Sequence, residues 1–135
     1  MSILSIASSG LAAASRRLEV SASNIANAQS NGPLPTATGP AAASHPPAYV
    51  PQRVDQVEVA GGGTAAIVQP VSPSFVAAFD PSASYADPNG LVATPNVNLA
   101  NEFIQQITAR YSFALNAAVI RTDEKMFKSL LDIVT

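Results

Sequence analysis

The sequence predicts a mainly α-helical protein with a small β-rich middle, in which two long terminal helices pack as an antiparallel coiled-coil pair. Three observations support this fold class. A seven-residue repeat of large apolar residues runs through the N-terminal segment, a longer helical pattern fills the C-terminal segment, and a proline-rich loop and a short β-hairpin region lie between them. Neither helix has a counterpart of comparable length in the chain except the other, so we expect the two to pack together.

The composition divides the chain into four segments. We assign residues 1–30 to an N-terminal helix, 31–51 to a loop rich in proline and alanine, 52–97 to a short β-rich segment and 98–135 to a C-terminal helix. Because many of the apolar residues are alanines, which bury little area each, we expect a thin core.

The N-terminal helix is predicted over residues 3–28 and carries a regular apolar stripe. Its large members are spaced by seven residues: Leu4, Leu11, Leu18 and Ile25. The matching positions of the repeat hold small residues, namely Ala7, Ala14, Ser21 and Ala28. Such a seam lets a partner helix approach closely.

The segments between the helices contain extended and turn sequences. Residues 31–51 are proline-rich, so we expect them to be extended or disordered. Two valine- and isoleucine-containing runs flank Gly61-Gly62-Gly63, which predicts two short strands joined by a flexible turn. Asp80-Pro81 and Asp87-Pro88-Asn89-Gly90 are turn sequences, and the second is expected to join a short extended piece to Leu91-Val92.

The C-terminal helix is predicted to begin after Asn98 as N-cap, with Glu102 in the first turn, and to run to about Val134. It carries two apolar lines. The first comprises Ile104, Ile107, Tyr111, Ala114 and Ala118, and the second comprises Phe113, Ala117, Ile120, Phe127, Leu131 and Val134. Two lines imply two contacts, so we expect this helix to pack against the N-terminal helix and also against an adjacent subunit.

The residue types needed for catalysis or cofactor binding are scarce. There is no cysteine, and the single histidine, His45, lies in the proline-rich segment without a fixed partner. Gly61-Gly62-Gly63 lacks the Lys-Ser or Lys-Thr of a phosphate loop, and Asp123 and Glu124 lie among basic residues on a helix face. We therefore predict no enzyme activity, no metal and no cofactor.

Charge and hydropathy limit the partners. The seven basic residues are scattered among nine acidic ones, which disfavours nucleic acid. No run of about 18 apolar residues exists, so we expect no direct membrane insertion. The first residues lack the basic region of a secretory signal peptide. Long helices with unsatisfied apolar stripes and no site for chemistry favour assembly as the function.

Motifs at both ends resemble the axial proteins of the bacterial flagellum, the family of rod, hook and filament-junction proteins. The N-terminal motifs are Ser9-Gly10-Leu11, Arg17-Leu18 and Asn24-Ile25-Ala26-Asn27. The C-terminal motifs are similar to those of the proximal-rod type: Ala86-Asp87-Pro88-Asn89-Gly90, Pro95-Asn96-Val97, Glu102, Tyr111 to Asn116, and Leu130 to Ile133. Leu91 stands where that family has tyrosine, Leu115 stands where alanine is common, and the insert at residues 34–47 has no close counterpart.

The resemblance implies a structural subunit of the flagellar basal-body rod that polymerises through its terminal helices into a hollow drive shaft. It implies contacts with copies of itself, other rod proteins, the type III export apparatus and basal-body ring or adaptor components. It also implies export without a cleaved signal peptide and a location in the basal body, spanning the periplasm. The predicted subunit-interface residues are Leu4, Leu11, Leu18, Asn24, Ile25, Asn27, Ile104, Ile107, Tyr111, Phe113, Asn116, Ile120, Phe127 and Leu131. Another axial protein, such as a distal-rod or hook component, and a secreted coiled-coil adaptor are the alternatives.

Overall fold

The computed structural model describes residues 2–35 and 43–134. Two helices, α1 (Ile3–Ala26) and α2 (Leu99–Val134), enclose four strands in the sequence: β1 (Gln52–Glu58), β2 (Thr64–Pro70), β3 (Phe75–Phe79) and β4 (Leu91–Pro95). The strands form two separate antiparallel hairpins, β1–β2 and β3–β4. The predicted fold class is confirmed.

Local sequence explains where the two helices begin and end. The Ser2 side chain accepts a hydrogen bond from the Ser5 amide and caps α1, and Asn27 follows its last residue as C-cap. Helix α1 is thus two residues shorter than predicted. The Asn98 side chain accepts from the Asn101 amide at 3.1 Å, which confirms Asn98 as the N-cap of α2.

The two helices pack antiparallel through small side chains. The buried residues that face the other helix include Ala14 and Ser21 on α1 and Ala109 on α2. The other buried apolar residues of the part that the structure describes are Ala7, Ala13, Val20, Pro51, Val92, Ala93 and Pro95. The core is therefore thin, and the α1 side of the helix contact consists mainly of alanine, serine and glycine, which lets α2 approach closely.

Hairpin β1–β2 lies along α1. Its register pairs Gln52 with Pro70 and Glu58 with Thr64, and the glycine turn between the strands has positive φ at all three residues. The base of the hairpin contacts Asn24 and its tip contacts Ser9, so it follows α1 for most of that helix. The two strands and the glycine turn expected from the sequence are confirmed.

Hairpin β3–β4 was only partly expected, because the sequence indicated a short extended piece joined by a turn to Leu91-Val92 but not which residues form it or how they pair. The partner is β3, paired from Phe75–Pro95 to Phe79–Leu91. In the connecting turn, Asp87 Oδ1 accepts hydrogen bonds from the amides of Asn89 and Leu91. Val92, in the middle of β4, has no exposed surface, so this hairpin contributes the largest fully buried side chain of the described residues.

The flanks of the proline-rich segment are ordered, so they do not take the disordered one of the two states expected from the sequence. Gly32 forms a bridge with Ala93, the Tyr49 amide donates to the Ser30 carbonyl, and Pro51 is buried. Residues 36–42 of the insert lie outside the described residues. Among the helices of the described segments, none combines the length and hydropathy needed to cross a membrane.

Candidate assembly surfaces of the helix pair

The candidate site is the surface of the helix pair, together with the contacts that set the geometry of the pair. Asn24, which is 1 % exposed, is the centre of these contacts. The Asn24 amide nitrogen donates to the Gln52 carbonyl and to Glu102 Oε1, each at 2.7 Å. Its amide oxygen accepts from the Gln52 amide at 3.0 Å and from the Tyr49 hydroxyl at 3.1 Å.

All four hydrogen-bonding positions of the Asn24 side chain are thus used within the chain. We call Asn24, Glu102, Gln52 and Tyr49 the polar lock. The Ser21 hydroxyl supports it by donating to the Glu102 carbonyl at 3.0 Å. The lock joins the end of α1, the beginning of β1 and the first turn of α2.

Gly10 marks a second close contact between the helices. A β-carbon at this position would lie 2.5 Å from Asn116 Oδ1 and 2.7 Å from Asn116 Cγ. Only a residue without a side chain leaves room for Asn116 here. The Asn116 amide nitrogen donates to the Ser112 carbonyl of its own helix at 2.8 Å, which fixes the side chain over Gly10.

Helix α2 continues past the beginning of α1. Because Gly10 lies opposite Asn116 in an antiparallel pair, Ile3 is level with Asp123. The remaining segment of α2, Glu124–Val134, extends about 16 Å beyond at 1.5 Å per residue. We call this segment the overhang. Its residues from Glu124 to Ile133 are all exposed, and four of its large apolar residues are Met126, Phe127, Leu130 and Ile133.

A second apolar surface runs along the paired part of α2, on the side away from α1. We call it the outward line, and it comprises Ile104, Ile107 and Tyr111. Ile107 is 54 % exposed and Tyr111 is 69 % exposed. Between this line and α1 lie the smaller or polar residues that contact α1, namely Glu102, Ala109 and Asn116.

The structure places the predicted interface residues in three environments. Exposed residues are Leu4, Leu18, Ile104, Ile107, Tyr111, Phe113, Phe127 and Leu131. Half-buried residues are Leu11, Ile25, Asn27, Asn116 and Ile120. Asn24 is buried inside the chain, so in this structure it does not present its side chain to a neighbour.

The two asparagines of the Asn24-Ile25-Ala26-Asn27 motif have different contacts. Asn24 bonds other segments, whereas the Asn27 amide nitrogen donates to the Ser23 carbonyl of its own helix at 3.0 Å. Asn27 therefore satisfies a carbonyl at the end of α1. Sequence reasoning treated both as candidates for either role, since their spacing alone does not distinguish a helix cap from a tertiary contact.

The sequence alone does not indicate that Glu102 and Gly10 form contacts between the helices. It predicts Glu102 as a favourable charge at a helix N-terminus and Gly10 as part of a motif. One signal was available. Gly10 and Asn24 are separated by 14 residues, and so are Glu102 and Asn116. Equal spacing on two antiparallel helices allows both pairs to meet at one register.

A protein with a thin alanine-rich core and most of its large apolar side chains on the surface belongs to the class that is built for assembly. Comparison with known proteins agrees with this class. The model for "Flagella basal body rod protein" matches residues 4–33, and the model for "Flagellar basal body rod FlgEFG protein C-terminal" matches residues 89–133.

Full-length relatives define the family further. The flagellar basal-body rod protein FlgC of Salmonella typhimurium is 34 % identical, over 97 % of this chain and 95 % of the relative. FlgC of Yersinia enterocolitica is 35 % identical over the same shares. FlgC of Borreliella burgdorferi is 30 % identical over 98 % of this chain and 96 % of the relative. The chain belongs to the family of FlgC flagellar basal-body rod proteins.

Proposed function

We propose that this chain is a structural subunit of the flagellar basal-body rod, in its proximal part, and that it polymerises through its two terminal helices into a hollow shaft. Membership of the FlgC family supports the rod assignment. The structural observation that carries the mechanism is the large apolar surface of the helices that the chain itself leaves exposed. A subunit of a helical polymer needs such surfaces, because each copy contacts several others through different faces.

The outward line and the overhang are the two surfaces that we assign to neighbouring subunits. The outward line faces away from α1, so its burial requires another molecule. The overhang extends past Ile3 and presents Phe127 and Leu130, which are 58 % and 60 % exposed. Leu4 and Leu18 of the N-terminal stripe are also exposed, on α1. Two separated surfaces on one subunit allow an interface that repeats without closing.

Asn24 enters this proposal in a different role from the one predicted. We assign it to the geometry within the subunit rather than to direct contact with a neighbour. The other interface residues predicted from the sequence are retained in the proposal.

The partners and the location follow from the same assignment. We propose contacts with copies of this chain, with other rod proteins and with components of the basal-body ring. We also propose export through the flagellar type III apparatus without cleavage of a signal peptide, and assembly in the periplasm. Family membership supports these proposals.

A catalytic function has no support among the described residues. They contain no group of three or more histidine, cysteine, aspartate or glutamate side chains arranged to hold a metal ion. The relatives are named as rod proteins. A distal-rod or hook component is less favoured, because the relatives that match over nearly the whole chain are FlgC proteins.

The test is complementation of a strain that lacks this protein. Ile107→Lys places a charge on the outward line and is expected to abolish motility and rod completion, as seen by electron microscopy of isolated basal bodies. Gln105→Lys is the matched control, since Gln105 is an exposed polar residue on the same helix. It is expected to support rods at the wild-type level.

Two measurements show whether a variant fails in assembly itself or earlier, in expression, export or folding. Immunoblotting of cell fractions shows whether each variant is made and exported, and circular dichroism of the purified chain shows whether it retains its helices. Complete rods containing Ile107→Lys would contradict the outward line as an interface. A stable, low-order oligomer of the wild-type chain that never joins basal bodies would instead favour the coiled-coil adaptor.

A further inference from the structure

The polar lock and the contact between Gly10 and Asn116 coincide at a single alignment of the two helices. Asn24 meets Glu102, and Gly10 meets Asn116. The two contacts are separated by 14 residues on each helix, or about 21 Å at 1.5 Å per residue. Both contacts therefore depend on the register of the helix pair, at two distant points along it.

On α2 the buried seam residue is Ala109, and a shift by one turn would put Gln105 or Phe113 in its place. On α1 the seam discriminates poorly between registers, because buried residues such as Ala14 and Ser21 are small. Small residues permit close packing, but they provide few shape differences along the axis. Polar groups buried in a helix pair are the best-attested means of selecting one register, because an unpaired partner is costly.

A shift of α2 by one turn in either direction disrupts the contact of Asn24 with Glu102, the contact of Gly10 with Asn116, or both. Moving α2 by four residues in one direction places Gln106 opposite Asn24, but then Ile120 lies opposite Gly10, and its side chain is larger than the Asn116 side chain that fits there. Moving it by four residues in the other direction places Asn98 opposite Asn24. Asn98 precedes α2 and is occupied as its N-cap, so the acceptor is lost.

We propose that Asn24 and Glu102, acting with Gly10 and Asn116, are positioning residues that fix the axial register of α1 against α2. This register sets the length of the overhang. A shift of one turn would change the overhang by about 5.4 Å and displace its apolar residues relative to the N-terminal end of α1. The consequence for polymerisation rests on the proposed function, whereas the register itself is a property of the single chain.

The experiment measures the register directly by double electron–electron resonance. The chain contains no cysteine, so Ala12→Cys and Lys128→Cys give two unique, exposed sites for spin labels on the two helices. The parent chain is expected to give one dominant distance. Glu102→Ala, which removes the acceptor but leaves the bonds between Asn24 and Gln52, is expected to add a population displaced by about 5 Å.

Three further variants make the result specific. Glu102→Gln keeps an acceptor oxygen at the same position and is expected to retain the single distance. Glu19→Ala removes an exposed carboxylate from α1, which pairs with Arg16 three residues away, and is the matched control. Asn24→Ala removes the donor and is expected to broaden the distribution at least as much as Glu102→Ala.

The possible outcomes are distinct. A single, unshifted distance in both Glu102→Ala and Asn24→Ala would overturn the proposal, and so would a parent chain without a dominant distance. Loss of the helical circular dichroism signal in Glu102→Ala would also overturn it, since the contact would then stabilise the fold rather than select a register. A variant with a shifted register that still builds normal rods would support the polar lock as a determinant of the register. It would contradict only the proposed role of the register in assembly.

Discussion

The Ser9 hydroxyl joins the N-terminal half of α1 to the tip of hairpin β1–β2. Its oxygen accepts a hydrogen bond from the Thr64 amide at 3.1 Å, while the hydroxyl donates to the Ile6 carbonyl at 2.7 Å. The two residues are 55 positions apart in the sequence. This contact holds the hairpin along α1 at the end opposite to the polar lock, so the hairpin is attached to the helix at both ends.

Ser9→Ala should weaken this attachment without disrupting the helix pair. We expect a loss of about 1 kcal/mol in the free energy of unfolding, because the Thr64 amide loses its acceptor in a half-buried position. Ser8→Ala is the control at an adjacent exposed position. Hydrogen exchange provides the site-specific measurement, with faster exchange at Thr64 in Ser9→Ala alone. Equal protection of Thr64 in both variants would contradict the contact.

The glycine turn offers a matched pair of substitutions. Gly61 and Gly63 both have positive φ, at 94° and 97°, so alanine is strained at either position. Only at Gly63 would the new β-carbon also meet Ser9 Oγ, at 2.6 Å. We expect both substitutions to cost about 1 kcal/mol or more, and Gly63→Ala to cost more than Gly61→Ala. Chemical denaturation of the two variants measures the difference. An equal loss of unfolding free energy would show that the hairpin tip moves to relieve the contact with Ser9.

Gly10→Val should separate the two helices near their middle. The valine side chain would overlap Asn116, so we expect the free energy of unfolding to fall by about 1–3 kcal/mol, as for an overpacked core position. Ala12→Val, on an exposed part of the same helix, is the control.

The second variant in this series is Gly10→Val combined with Asn116→Ala. Removing the amide makes space for the valine, so the double variant should recover part of the stability lost by Gly10→Val. A double-mutant cycle measured by denaturation gives the coupling between the two positions. Additive effects would indicate that the helices are not in close contact here.

Much of this fold could be predicted from local patterns. The seven-residue repeat predicts α1, the Asn98 cap predicts the beginning of α2, and the glycine turn predicts hairpin β1–β2, because each signal lies within a few residues of the structure that it determines. Strand β3 was expected only as a short extended piece without defined bounds, for the opposite reason. It is five residues long, lies between Pro73 and Pro81, and forms only by pairing with β4.

The candidate site was less predictable than the fold. The exposed apolar lines of α2 were visible as periodic patterns, but the orientation of Asn24 depends on Glu102, which is 78 residues away. An asparagine near a helix end satisfies a local carbonyl as readily as a distant partner. The three-dimensional contact, rather than the residue type, therefore decides that Asn24 points inward while Asn27 caps the helix.

The last prediction concerns the overhang, where substitutions should change the association of the chain but leave its stability nearly unchanged. Phe127→Ser combined with Leu130→Ser removes two exposed apolar side chains, so the free energy of unfolding should change by no more than about 1 kcal/mol. Val20→Ala, at a buried position of α1, should cost about 1–2 kcal/mol and serves as the stability reference.

Self-association of the same variant should fall, because the proposed interface has lost apolar area. Sedimentation velocity over a range of concentrations measures this effect against the wild-type chain. Lys125→Ser combined with Asp132→Ser is the control, since it places two serines on the same exposed segment without changing net charge. If the apolar and the charged double variants associate equally, the overhang does not bind a neighbouring subunit through Phe127 and Leu130.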